Sequence, residues 1–277
     1  MRVPAVLSIA GSDSGGGAGV QADLKAFARS GVHGMTAITA LTAQNTVAVT
    51  GIHPVPGEFI VAQVRAVAED IGVDAVKIGM LGTAETVRAV SEALDLLDPA
   101  TPIVLDPVMV AESGAVLLDE AAREAIVDEL LPRVTVITPN VPEARVLAGG
   151  SEESVEDLAR RLHRLGPSVV VVTGGHRDEA TDVLFDGDAL HLIPGERHPD
   201  GASHGSGCTH SSALAAHLAL GLSPLEAARA AKEIASEAVA AGIRGLGKGP
   251  GPVDVFDLTA RAPRGAARRR TAARPLP

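Results

Sequence analysis

An α/β fold, with a central mostly parallel sheet flanked by helices on both faces and a β-hairpin at its edge, is predicted by three observations. Short runs rich in Val and Ile alternate with longer amphipathic runs, the pattern of parallel strands joined by crossover helices. A chain of 277 residues that is 46% hydrophobic can bury one large core. Nearly every glycine-rich or polar motif directly follows a strand-like run, and ligands of open parallel sheets bind beyond the carboxyl ends of the strands.

The elements follow from these patterns in order. Apolar runs predict strands near 4–9, 35–41, 74–78, 102–105, 134–138 and 168–173, each too short for a buried helix. Amphipathic stretches predict helices near 19–29, 58–71, 84–97, 119–131, 142–148 and 154–165, with apolar residues returning on one face. After Gly174, DVLFDGDALHLI holds two alternating runs about an Asp-Gly turn, which predicts an edge hairpin. Helices near 206–220 and 223–241 close the domain. Residues 1–258 read as one domain, and the Arg-, Ala- and Pro-biased tail from 259 to 277 as a disordered, solvated extension.

Composition excludes several classes. The net charge is -10 and the body is more acidic still, because the tail is basic; such a surface repels nucleic acid. Trp and Tyr are absent and there are four Phe, too few for platforms on which bases stack. No apolar run approaches the roughly 20 residues that cross a bilayer, and the N-terminus lacks a signal-peptide pattern, so a cytoplasmic protein without membrane contact is expected. A single cysteine forms no internal disulfide and no thiolate metal cage.

The most informative motif is HGSGCTHSSALAAHLALG at 204–221. Its glycines permit a tight turn that feeds a helix, whose N-terminal amides and dipole favour an anion. Cys208 stands where such a terminus is expected to lower a thiol pKa. A phosphate seat with a proton acceptor suggests phosphoryl transfer.

The segment GSDSGGGAG at 11–19 lacks both the GK[ST] ending of a P-loop and the GxGxxG spacing of a dinucleotide fold. Its small residues instead suit wrapping around a flat substrate, with Asp13 and Asp23 as acceptors, although Asp13 can equally be a turn carboxylate. Gln44 and Asn45 both donate and accept, as recognition of a ring nitrogen beside an amino group requires, or are ordinary polar residues at a strand end. Lys77 interrupts an apolar run and needs an anion; the alternative is a buried pair with Asp106. Asp106 and Glu143 suit Mg²⁺, which takes one or two carboxylates plus phosphates. Glu143 also reads as a first-turn acid of the helix after Pro142, which alone leaves Asn140 unexplained. His176 and His204 are assigned no proton-transfer role, and the histidines lack metal-site spacing.

Six motifs in order, AGSDSGGGAGVQADLK (10–25), ALTAQNT (40–46), KIGML (77–81), LDPVM (105–109), TPNVPEA (138–144) and HGSGCT (204–209), resemble the hydroxymethylpyrimidine/phosphomethylpyrimidine kinases of thiamine biosynthesis, from about residue 5 to 258. The resemblance implies a ribokinase-like fold, ATP and Mg²⁺ as cofactors, a homodimer, and two successive phosphorylations of 4-amino-5-hydroxymethyl-2-methylpyrimidine. By position, it implies that Gln44 recognises the pyrimidine, with Gly11, Ala18, Asp23 and the Val108 backbone around it. It further implies that Gly205, Ser206, Gly207 and Cys208 form the anion hole, with Cys208 as base, that Lys77, Asn140, Thr173 and Gly175 meet nucleotide phosphates, and that Asp106 and Glu143 meet the metal.

This chain departs from the family at TGGH, where KGGH is usual, so that Thr173 removes a cation. It departs again at GASHGSGCTHSSA, where NTHGTGCTLSA is usual, which changes Ala202, Ser203, Ser206 and His210. The rival readings are a pyridoxal or pyridoxine salvage kinase, against which Gln44 discriminates, and a non-catalytic pyrimidine-binding protein, against which the retained glycines, cysteine and carboxylates stand. A fused thiamine-phosphate synthase is not expected, because no second α/β domain fits after 258.

Overall fold

The computed structural model describes residues 2–111, 114–150, 153–174 and 180–261. Among them, nine strands form one sheet: β1 (Ala5–Asp13), β2 (His33–Gln44), β3 (Val49–Pro54), β4 (Ala75–Ile78), β5 (Ile103–Leu105), β6 (Val136–Ile137), β7 (Val169–Val172), β8 (Asp182–Phe185) and β9 (Leu190–Ile193). Their spatial order is β3-β2-β1-β4-β5-β6-β7-β8-β9. The six strands from β2 to β7 in that order pair in parallel, whereas β3 at one edge and the β8–β9 hairpin at the other are antiparallel.

Strand alternation sorts side chains between two cores. Leu7, Ile9, Val76, Ile78, Leu105 and Ile137 join a cluster that packs against α2 (Gly57–Asp70), α3 (Ala84–Leu94), α4 (Glu120–Ala125), α5 (Val141–Leu147) and α6 (Val155–His163). Val6, Ala75, Val104 and Val136 face Phe27 of α1 (Gly19–Arg29), Ala213 and Ala216 of α7 (Ser206–Ala219), and Ala228 and Ala231 of α8 (Pro224–Ala240). Ser8 and Lys77 share this second parity, so both project beneath α1 and α7. Buried Ser211, Ser212, Ala213 and Ala215 let α7 lie close on the sheet, which sets its N-terminus at the carboxyl ends of the strands.

Five elements differ from expectation. β1 and β2 run on to Asp13 and Gln44, so the residues assigned to loops after them begin inside strands. β3 was not expected, because VTGIHP holds Gly51, ends on Pro54 and is largely exposed; an edge strand of this kind carries no apolar alternation. The helix expected over 119–131 is α4 followed by a π-turn (Ile126–Leu130) and a 3-10 turn (Leu131–Arg133), since Pro132 has no amide to continue the ladder. The tail predicted from residue 259 begins in a helical turn, α9 (Leu258–Arg261), and its remainder lies outside the described residues. No helix among those described is long and apolar enough to cross a membrane.

Candidate active site

From β1 the chain builds β2 and β3 on one side and returns through α2 to β4 on the other. Such a reversal opens a crevice beyond the strand ends. It is a cleft of about 510 Å³, bordered by Gly11, Ala18, Gln44, Lys77, Asp106, Val108, Asn140, Glu143, Thr173 and the run Gly205 to Cys208. Of the remaining expected site residues, Asp23 does not border it, and Gly175 and His176 lie outside the described residues.

The 11–19 loop is organised by Asp13. Amides of Gly15, Gly17 and Ala18 donate to its carboxylate at 2.7, 3.0 and 2.9 Å, and His204 Nε2 lies 3.3 Å away. Burial raises its pKa, but His204 and these amides outweigh burial and hold the carboxyl below its ordinary range. Asp13 is therefore the turn carboxylate, and Ala18, expected at the substrate, has already spent its amide. A Cβ at Gly11 would sit 2.5 Å from Met80 Cε, the flexible end of a side chain that can move aside.

The anion loop interlocks with this one. Gly205 has φ +85°, and a Cβ would fall 1.8 Å from the Gly17 carbonyl oxygen. Gly205→Ala is accordingly expected to shift both loops and lower kcat/KM by about 100-fold, the usual cost of a 1 Å displacement. Steady-state kinetics beside circular dichroism would check this. As N-cap of α7, Gly205 supplies no side-chain cap, and the amides of Gly207 and Cys208 have no helical acceptor. Gly207 opens on the cleft, with only Asp106 Oδ2 within 4.0 Å of an added Cβ. The Ser206 amide, by contrast, donates to the Ser203 carbonyl at 2.9 Å, so Ser206 drops out of the expected amide cradle.

Cys208 reverses the expected pKa shift. Burial pushes its thiol up to about 12; Lys77 and the Gly19 amide pull it down, while Asp106 and Asp23 push it further up. The helix terminus loses to desolvation and two nearby carboxylates, so the free protein carries a thiol.

Lys77 and Asp23 also require correction. Both are fully buried, with Nζ 2.9 Å from Asp23 Oδ1. Ser212 donates to the same oxygen at 2.8 Å and Ser8 to Oδ2 at 2.6 Å. Asp23 therefore neutralises Lys77 beneath α1 and α7 and does not reach a substrate, and Lys77 is not a free cation for phosphate. Its partner is Asp23 and not Asp106 because residue 77 lies on the α1 face of the sheet. Burial lowers the Lys77 pKa, but Asp23, with Cys208 and Asp106, outweighs it and holds the ammonium above its ordinary range.

Asn140 and Glu143 form a capping box on α5. The Asn140 amide donates to Glu143 Oε2 at 3.0 Å and the Glu143 amide to Asn140 Oδ1 at 2.9 Å, so helix capping accounts for Asn140, whose Oδ1 is committed to the cap and not to a nucleotide. Burial first, and then the charge of Asp106, push Glu143 up to about 7. Asp106 is likewise raised by burial, against Lys77 and a 3.0 Å hydrogen bond from Ser211. Among the described residues no three acidic, His or Cys groups form a cluster that could hold a metal ion by themselves, but two carboxylates, one of which raises the pKa of the other, fit Mg²⁺, which completes its shell with phosphates and water. Apparent Mg²⁺ affinity should rise as pH passes through about 7 and Glu143 ionises, and Glu143→Gln should flatten that rise; metal titrations followed by activity would show it.

Three further residues are held by their own backbone surroundings. Gln44 Oε1 accepts from Thr42 at 3.2 Å, and its main chain is tied on both sides to Ser14. The Val108 amide is taken by the Asp106 carbonyl at 2.8 Å. The Thr173 hydroxyl turns to the Pro139 carbonyl at 3.5 Å. Asp182, His198, His210 and Lys232 also border the cleft, and sequence reasoning had given none of them a place in the site. A lysine beside the Ala228–Ala231–Ala235 stripe of α8 was the available signal.

Amides that stabilise developing negative charge, next to carboxylates suited to a hard cation, are the means by which phosphoryl transfer is accelerated; on this doubly wound sheet they define a ribokinase-like kinase. The phosphomethylpyrimidine kinase family model matches residues 13–254. A hydroxymethylpyrimidine/phosphomethylpyrimidine kinase of Rhizobium meliloti is 47% identical over 90% of this chain and 96% of its own length. The phosphomethylpyrimidine kinase of Clostridium difficile superposes with a TM-score of 0.75 at 38% identity, covering 86% of this chain and all of the other. An ADP complex of Bacillus subtilis pyridoxal kinase superposes at 0.83 with 37% identity, covering 93% and 99%. The chain belongs to the phosphomethylpyrimidine kinase family.

Proposed function

We propose that this protein transfers the γ-phosphoryl group of ATP to the hydroxymethyl oxygen of 4-amino-5-hydroxymethyl-2-methylpyrimidine, and then phosphorylates the monophosphate to the diphosphate for thiamine synthesis. The observation that carries this is the pair of uncapped amides, Gly207 and Cys208, facing Asp106 in one cleft with Gln44. The relative from Rhizobium meliloti is named for both phosphorylations, and the pyridoxal kinase from Bacillus subtilis binds ADP.

Gln44 presents an amide to the aminopyrimidine edge. The Gly207 and Cys208 amides take the charge that develops on the migrating phosphoryl oxygens. Cys208 accepts the proton of the attacking hydroxyl; its high proton affinity makes it a strong base once it is deprotonated, and Lys77 eases that deprotonation. Mg²⁺ held by Asp106 and Glu143 would neutralise phosphate charge and the carboxylate field that keeps Cys208 protonated. Thr173 and Asn140 would border the nucleotide phosphates.

Pyridoxal phosphorylation is the second reading, favoured by the 0.83 superposition on a pyridoxal kinase. The test is to incubate the protein with Mg²⁺-ATP and, separately, hydroxymethylpyrimidine, its monophosphate and pyridoxal, and to read the products by mass spectrometry. Diphosphate from both pyrimidines with slow pyridoxal turnover supports the first reading. Monophosphate alone, or faster pyridoxal turnover, points to a salvage kinase and removes the role given to Gln44.

A further inference from the structure

Asp182 opens β8 and is buried against α7 and α8. Its Oδ1 accepts from Lys232 Nζ at 2.6 Å and from the Gly174 amide at 2.7 Å. Among the described residues its Oδ2 has no hydrogen bond, although His210 Nε2 is 3.4 Å away. His210 is 4% exposed, and among the described residues neither ring nitrogen has a hydrogen-bond partner. Buried polar atoms are rarely left this way. All three side chains border the cleft, and His210 lies on α7 just beyond the amides of Gly207 and Cys208. An arriving ligand is therefore the natural missing partner, and it must suit an imidazole already backed by a carboxylate.

The donor inventory of histidine decides the ligand's charge. A neutral ring carries one N–H and one lone pair. Set between the Asp182 carboxylate and a second acceptor, it satisfies one and repels the other. Only the imidazolium donates to both. Lys232 and Asp182 cancel, so the cluster is neutral with imidazole and singly positive with imidazolium. Asp182 itself stays ionised: burial raises its pKa, but His210, Lys232 and the Gly174 amide outweigh burial and hold it below the ordinary range.

We propose that His210, backed by Asp182 and Lys232, is a further contact for the polyphosphate of the nucleotide, and that its ring takes up one proton from solvent when that anion enters the cleft. The proton adds to the free ring nitrogen, and no bond in the nucleotide is made or broken. The inference rests on the kinase reading and adds to it an anion contact. Among the described residues, the charged groups around the ring are Asp182 from β8, Lys232 from α8 and, through space, Asp106 beyond β5; Cys208 and His217 are the other titratable groups on α7 itself. No hydrogen bond or ion pair joins His210 to Asp106 or Glu143 among the described residues; charge on the ring reaches Asp106 only through space.

Calorimetry of ADP binding in EDTA, in two buffers of different ionisation enthalpy at about pH 8, tests this. The full-length protein should show a buffer-dependent enthalpy that approaches one proton taken up per ADP, relative to His210→Leu. Protonation of ADP itself is common to both proteins and cancels. Wild-type affinity should fall by about tenfold from pH 6 to pH 8 relative to the variant. His210→Gln, which keeps a donor but cannot take up a proton, should lose the linkage as leucine does, which guards against a leucine variant that fails to fold. ADP binding with the same proton count in wild type and both variants overturns the inference and leaves the kinase reading standing. Absence of both ADP binding and pyrimidine phosphorylation overturns the two together.

Discussion

Cys208→Ala is expected to slow phosphorylation of the hydroxymethyl group by about 10²- to 10⁴-fold, the range associated with a positioned general base. Phosphorylation of the monophosphate should fall by less than about tenfold. The alcohol must lose a proton as it attacks, whereas a phosphate acceptor is already ionised near neutral pH. The thiol, pushed up to about 12 by burial, is protonated across the neutral range in the free protein. The alcohol step should therefore accelerate with rising pH in wild type and lose that dependence in Cys208→Ala. Separate single-turnover measurements on the two acceptors would check both expectations. Equal loss on both would assign Cys208 to positioning the loop and not to proton transfer.

Lys77→Met should destabilise the fold by about 3–5 kcal/mol, because it leaves the buried Asp23 charge without its cation. Ser8 and Ser212 would still donate to Asp23, but two hydroxyls do not neutralise a carboxylate. Pairing the change with Asp23→Asn should recover much of the loss, since the uncompensated charge is then removed. Denaturant unfolding at pH 7 of the two single variants and the double variant gives the coupling directly. A loss under about 1 kcal/mol for Lys77→Met would mean that water reaches the pair. The same substitution removes the cation that lowers the Cys208 pKa, so any folded Lys77→Met protein should also be slower on the alcohol.

Much of the fold was legible because its signals are local. VVVV at 169–172 and IVL at 103–105 can be little other than buried strands, and DVLFDGDALHLI carries its own turn. β3 was missed because VTGIHP owes its conformation to hydrogen bonds from β2 and not to its own side chains. The π and 3-10 turns after α4 were missed because a helical period does not report where Pro132 will force the ladder to change.

The site divides in the same way. HGSGCT at the head of a helix announces an anion cradle, since glycine geometry and free amides are properties of a few consecutive residues. Charge pairing is not. Lys77 and Asp23 stand 54 residues apart and Asp182 and Lys232 stand 50 apart, so sequence cannot say which acid meets which base. Nor can it give the sign of the Cys208 shift, which depends on two carboxylates brought beside it from elsewhere in the chain.

The sequence by itself determined the α/β class, the strand-end location of the cleft, the glycine-led turn at the head of α7 and, through six ordered motifs, the family. Only the tertiary structure decided that Asp23 serves Lys77 and not the substrate, that Asn140 and Glu143 cap a helix while bordering the cleft, that Cys208 rests as a thiol, and that His210 faces Asp182. Backbone conformation and apolar periodicity are written within a turn or two of chain, whereas desolvation and charge pairing are set by whichever distant residues folding brings within a few ångströms.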